Sequence, residues 1–168
     1  KVCPPSCGLE INFRRIKQNP NITFYTLAEI KNVSGNEGNY EATITLSPRY
    51  VNEKCTACGE CEKVCESTRS NDFNFGMNTS KAVYLPHEMA YPYRFVLDKT
   101  ACSEADQKKI VEACKYDAID LQMESKDITV NVASIVLATG WKPYDATKLD
   151  NLGYGTFKNV ITNVMMER

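Results

Sequence analysis

Cys55-x2-Cys58-x2-Cys61-x3-Cys65 constrains this chain more than any other stretch. Four thiols packed into one short run rarely persist unless a metal centre or disulfides hold them. The spacing, with Cys102 and Cys114 downstream, is one by which cubane iron–sulfur clusters are held. Three thiolates on one loop grip three corners of a cluster, and the fourth cysteine of the run points toward a second. Zinc is the rival metal. Its Cys-rich sites usually use two Cys pairs separated by about 12–20 residues, a pattern absent here.

With 168 residues the chain has room for one ordinary domain or two small ones. The net charge is −1 and the basic residues are scattered, which argues against a nucleic-acid partner. No apolar run approaches the roughly 18 residues of a membrane span, and no secretory leader opens the chain. Eight cysteines would suit a secreted disulfide scaffold, but cluster-like spacing argues for a reducing cytoplasm. The sequence opens at Lys1 in what reads as mid-fold and ends on the apolar-rich stretch Val160 to Met166, the pattern of a segment cut from a longer protein.

Leu9, Phe13 and Ile16 stand at helical spacing within Gly8 to Lys17. Arg14, Arg15 and Lys17 complement the dipole at the C-terminal end, and Asn19-Pro20 stops the helix. Ile22 to Leu27 reads as a buried strand. Glu29 to Val33 and Asn39 to Leu46 flank Gly35-Asn36-Glu37-Gly38 as a hairpin, whose second arm alternates Tyr40, Ala42, Ile44 and Leu46. Ile128, Val130 and Val132 alternate likewise. The run Ile135-Val136-Leu137-Ala138, apolar on both faces, reads as a central parallel strand.

Between these β pieces, residues 48–124 form a block of different character with a weak internal repeat. Arg49-Tyr50-Val51-Asn52-Glu53-Lys54 precedes Cys55, and Arg94-Phe95-Val96-Leu97-Asp98-Lys99 precedes Cys102. Each half then reaches a short helix ending in a cysteine, Cys65 or Cys114. Ser103-x-x-Asp106 supplies an N-capping signal for the second helix, and Ala118 to Leu121 reads as a closing strand. A strand–cysteine–helix unit used twice is the plan of a two-cluster ferredoxin. Here the second half carries Gln107 and Ile110 seven and four residues before Cys114, where thiolates belong. One [4Fe–4S] cluster therefore remains, on Cys55, Cys58, Cys61 and Cys114. Cys65 and Cys102 are left as a disulfide or as remnants of a vacated second cluster. Glu66 and Lys115 replace the prolines that usually follow such runs.

Cys3 and Cys7 form a separate pair at the entrance of the first helix, a place that suits a redox-active thiol; the alternative is two thiols that merely fill space. Ala138-Thr139-Gly140 is a weak turn motif. His87, in a Pro-rich stretch, is given no role, and no catalytic triad or phosphate-cradling loop is visible.

Taken together, these features resemble the flavoprotein A subunit of heterodisulfide reductase, and within that group the A subunit of the quinone-interacting membrane-bound oxidoreductase. The resemblance is carried by Cys3-Pro4-Pro5-Ser6-Cys7-Gly8, Pro48-Arg49-Tyr50-Val51 and the cysteine run. It continues through Lys81-Ala82-Val83-Tyr84-Leu85-Pro86-His87, Cys114-Lys115-Tyr116-Asp117-Ala118 and Leu137-Ala138-Thr139-Gly140-Trp141-Lys142-Pro143-Tyr144-Asp145. It implies an α+β architecture: a ferredoxin-like module at 48–124 inserted into part of a thioredoxin-reductase-like FAD domain, of which 1–47 and 125–168 are segments. It also implies an electron-transferring oxidoreductase subunit, cytoplasmic and held at the membrane by the other subunits of a quinone-interacting complex, with adenylylsulfate reductase as the soluble partner. Heterodisulfide reductase relatives keep cysteines in the second half of the module, so their loss here favours the quinone-linked branch.

The same resemblance puts Cys3 and Cys7 beside the flavin and gives Thr139 and Gly140 to cofactor binding. The dinucleotide fingerprint G-x-G-x-x-G is absent, so FAD belongs to the full-length subunit; it is not expected on this chain alone. Two other functions compete: a thiol–disulfide oxidoreductase using Cys3 and Cys7 with a structural cluster, and a metal-stabilised interaction module.

Overall fold

The computed structural model describes residues 6–168, a mixed α/β chain with small antiparallel sheets. Cys3 lies outside the described residues. The chain divides into two compact units. One runs to Arg69 and resumes over Lys81–Ser134; the other comprises Ser70–Ser80 and Ile135–Arg168.

In the first unit, α1 (Ser6–Gln18) forms where the apolar spacing predicts a helix, and it stops at Asn19, whose amide donates to the Arg15 carbonyl at 3.1 Å. Phe13 stacks on Tyr91 with ring centroids 4.7 Å apart. The expected strand from Ile22 to Leu27 does not form. That stretch is irregular, Ile22 and Leu27 are 44% and 40% exposed, and Leu27 sits at φ 54, where an extended strand cannot continue. Phe24 packs on Tyr91 instead, so its apolar character serves an aromatic cluster and not a sheet.

The hairpin forms as its turn residues dictate. β1 (Ala28–Asn36) pairs antiparallel with β2 (Asn39–Leu46), closed by Asn36 opposite Asn39. Gly35 lies at φ 98, and a Cβ there would collide with the Asn39 carbonyl. On the other side of β2 runs β7 (Lys126–Val132), the alternating strand expected from Ile128, Val130 and Val132; it pairs Val130 with Ala42 and Ile128 with Ile44. The Asp127 carboxylate fastens all three strands. It accepts from Thr45 Oγ1 and from Lys31 Nζ, each at 2.6 Å. Much of this sheet stays uncovered, and Ile30 is 59% exposed.

The core of the unit lies elsewhere, around Val51, Val83, Phe95, Leu97, Ile110 and Ile119 together with Cys61, Cys65 and Cys102. Its framework is slight. α2 (Glu60–Val64) and α3 (Glu104–Ala113) each end on a cysteine, Cys65 and Cys114 respectively. β5 (Val83–Tyr84) pairs with β6 (Val96–Leu97), and the expected closing strand after Ala118 shrinks to one bridge, Ile119 to Val51. The ribbon strands β3 (Thr68–Ser70) and β4 (Thr79–Lys81) carry the chain out of this unit and back.

The second unit carries three short 3-10 helices, Asp72–Asn74, Ala146–Lys148 and Asp150–Leu152, and a short α-helix, α4 (Asn163–Glu167), capped by Thr162 Oγ1 accepting from the Met165 amide at 3.3 Å. Arg168 stacks over the Phe73 ring at 3.7 Å. Ile135 to Ala138 forms no strand here, contrary to its pattern: Val136 and Leu137 are 87% and 79% exposed. A run apolar on both faces needs a sheet neighbour on each side and a layer on each face, and the described residues bring none to it.

Candidate metal centre

The loop from Cys55 to Cys61 is curled by two left-handed residues, Ala57 at φ 55 and Gly59 at φ 80. That curl turns Cys55, Cys58 and Cys61 toward a common hollow, with α2 starting at Glu60 so that Cys61 rides its first turn. Cys114 arrives from the far end of α3. The four thiols line one pocket, walled by Val51, Phe95, Ala118 and Ile119. Cys61 is buried, Cys55 and Cys114 are half-buried, and Cys58 is exposed at the rim. Two backbone amides already point at sulfur: Ala57 N–H donates to Cys55 Sγ at 3.4 Å and Ala118 N–H to Cys114 Sγ at 3.3 Å.

Electrostatics within the pocket are those of crowded like groups. Burial pushes the Cys61 thiol up to about 12, and the charges of Cys55, Cys114 and Cys58 push the same way. Four thiolates cannot be held together in such a place without a cation among them, which an iron core supplies. Among the described residues, no three of His, Cys, Asp and Glu converge as ligands of a single metal ion. The donor set, the apolar walls and the N–H groups aimed at sulfur all fit a thiolate-held cluster. Behind Cys55 lies Arg49, its guanidinium held by the carbonyls of Arg94 and Phe95 and by Thr26 Oγ1 at 3.4, 3.5 and 2.8 Å. Burial lowers its pKa, while the Cys55 charge favours its cation.

Cys65 and Cys102 meet at a second place. Both are buried as free thiols of one core cluster, 0% and 5% exposed, and Cys65 Sγ donates to the Ser67 carbonyl at 3.6 Å and approaches Asp106 Oδ2 at 4.0 Å. The two positions where thiolates would complete a second cluster are filled. Ile110 is fully buried in the core, and the Gln107 amide donates to the Cys102 carbonyl at 2.9 Å.

Beside this pair sits Asp106, 3% exposed. Its Oδ2 accepts from the Ser67 amide at 2.6 Å, Ser67 Oγ at 2.7 Å and the Glu66 amide at 2.9 Å; Lys109 approaches Oδ1 at 3.3 Å. These bonds, those from Ser67 foremost, hold its carboxyl at about 2. The N-capping signal forms as expected. Ser103 Oγ accepts from the Asp106 amide, and Ser67 Oγ accepts from the Ser103 amide. Nothing in the sequence singles out Ser67, which reaches α3 only through the fold.

Cys7 is exposed in the first turn of α1. Thr139 and Gly140 are exposed in the irregular segment of the second unit. No helix among the described residues is long and apolar enough to cross a membrane.

No protein-family model matches the chain. It is 41% identical over 155 residues to an iron–sulfur A subunit of the CoB–CoM heterodisulfide reductase of Methanopyrus kandleri, covering 92% of this chain and 23% of that one. It is 38% identical over 154 residues to the corresponding iron–sulfur A subunit of Methanocaldococcus jannaschii, covering 91% and 23%. It is likewise 38% identical over 163 residues to the A subunit of the H(2):CoB-CoM heterodisulfide,ferredoxin reductase of Methanothermobacter marburgensis, covering 96% and 24%. The chain spans about a quarter of the length of these curated relatives.

Proposed function

This chain is like the A subunit of heterodisulfide reductase along more than nine tenths of its length, and from that premise we propose that it is an electron-transfer segment of an iron–sulfur flavoprotein oxidoreductase. It holds one [4Fe–4S] cluster on Cys55, Cys58, Cys61 and Cys114. The observation that carries this reading is the meeting of those four thiols, from two distant parts of the sequence, in one apolar pocket.

Such a cluster supplies one-electron transfer. The chain's residues do the rest. Val51, Phe95 and Ile119 keep water from the sulfurs. The Ala57 and Ala118 amides stabilise charge on Cys55 and Cys114. Cys58, exposed at the rim, is the edge where an electron donor or acceptor can approach.

The architecture we assign is a ferredoxin-like module at 48–124, set into FAD-domain segments at 1–47 and 125–168. Two features support it: the repeated helix-to-cysteine ending of α2 and α3, and the apolar residues left open on β1 and at Ile135 to Ala138. FAD belongs to the longer protein, with Cys3 and Cys7 near the flavin and Thr139 and Gly140 contributing to its site. Gln107 and Ile110, standing where thiolates would hold a second cluster, support the quinone-linked branch. Its partners are the other subunits of a membrane-bound quinone-interacting complex and adenylylsulfate reductase. The names of the relatives mention ferredoxin, hydrogen and the CoB–CoM heterodisulfide, and each describes that relative's own assembly.

Anaerobic reconstitution followed by iron and sulfide analysis tests the centre. About four of each per chain are expected, as one cubane requires. A value near eight, or zinc bound in preference, overturns it.

A further inference from the structure

The second half of the repeat is not an empty cluster site. Ile110 and Gln107 occupy it, and two free thiols are left in one buried core cluster, Cys65 bonded toward Ser67 and Asp106 and Cys102 beside Ser103, whose amide donates to Ser67 Oγ. Two neighbouring thiols free of metal can be oxidised together by two electrons, joining as a disulfide. We propose that Cys65 and Cys102 form a two-electron dithiol–disulfide site that staples the two cysteine-bearing helices of the cluster module. This deepens the single-cluster reading, since it requires both thiols to be free of iron.

Position gives the bond its consequence. Cys65 caps the C-terminus of α2, whose first turn carries Cys61. Cys102 closely precedes α3, which ends on Cys114. A bond between them ties together the elements that present the buried cluster ligand and the ligand arriving from outside the cysteine run. The Asp106 carboxylate already joins the same two places by accepting from the Glu66 and Ser67 amides, so the sulfurs are held in register before any bond forms.

The oxidant we name is a low-molecular-weight disulfide, RSSR. One chain thiolate attacks a sulfur of RSSR and releases RS⁻, leaving a mixed disulfide. The second thiolate displaces the other RS⁻ and closes the bond. Both thiol protons leave with two RSH; the pair is oxidised by two electrons and RSSR is reduced by two. Burial sets the rate. Cys102, 5% exposed, is the first point of attack, Cys65 is wholly covered, and desolvation keeps the Cys102 thiol protonated near neutral pH. Exchange therefore proceeds through opening of the module, and loss of the cluster accelerates it.

The test treats the reconstituted chain and its cluster-free form with glutathione disulfide, then alkylates in denaturant and maps the peptides. The expected product is a Cys65–Cys102 linked peptide, formed at least tenfold faster without the cluster and reversed by dithiothreitol. Iron and sulfide are measured on the same samples. About four irons with both thiols alkylated, or with Cys65 linked to a cluster ligand, overturns the dithiol site and leaves the centre standing. Near eight irons with no link overturns both. Glutathione retained on Cys102 without closure also overturns it, and this readout needs no variant to fold.

Discussion

At the residue scale, cysteines of one sequence run have different fates because the fold sorts them by place. Cys61 and Cys65 are four residues apart on α2 and its cap, yet Cys61 lines the four-thiol pocket and Cys65 bonds toward Ser67 and Asp106 in the core that also holds Cys102. Replacing Cys114 by Ala should therefore abolish most of the reconstituted iron, whereas Cys65→Ala should leave it at about four per chain. Equal loss in both variants would show that the ligand set is misassigned. Asp106 makes a separate prediction. Its folded carboxyl stands at about 2, below the ordinary 3.8, so the folded state resists protonation more than the unfolded chain does. That stability is fully present above the unfolded value and drains away as pH falls from about 4 to about 2. Urea titrations of the cluster-free chain across this window should show the midpoint falling with pH. In Asp106→Asn the midpoint should be lower throughout and the slope across the window flatter; an unchanged slope would sink the assignment.

Among the elements, legibility follows how local the determining physics is. The hairpin is readable because a two-residue turn flanked by glycine leaves little choice of register. α1 is readable from its spacing and its proline stop. The stretch 22–27 is not, because apolar content alone does not distinguish a strand from a segment whose aromatic side chain packs on Tyr91. For the centre, the pairing of Cys114 with the first run is legible from the repeat. The bracing of Asp106 by Ser67 is not, since those residues meet only through the fold. Gly35 gives this scale its test. At φ 98, and with the Asn39 carbonyl against it, Gly35→Ala combines a disfavoured conformation with a backbone clash. It should destabilise the first unit by about 1–3 kcal/mol, read by chemical denaturation, with iron binding after refolding unchanged because the hairpin contributes no thiol.

For the whole molecule, the question is what covers the apolar surface that these residues leave open. Val136 and Leu137 are 87% and 79% exposed, and Ile30 on β1 is 59% exposed. Ile135 to Ala138 carries the pattern of a strand buried on both faces, and no local signal could tell that the described residues bring it no sheet neighbour. The relatives are about four times as long, which gives a larger fold the material to supply them. We therefore expect the amides of 135–138 to exchange with solvent freely in this chain, where they have no ladder partner. In a protein of the relatives' length they should be protected by several orders of magnitude, as sheet-centre amides are. Hydrogen exchange followed by mass spectrometry on both proteins gives the comparison directly. Protection appearing only in the longer protein supports a parallel strand of an FAD-binding domain. Free exchange in both would mean that the alternation-free apolar run marks a surface, and that the placement of Thr139 and Gly140 beside a flavin must be abandoned with it.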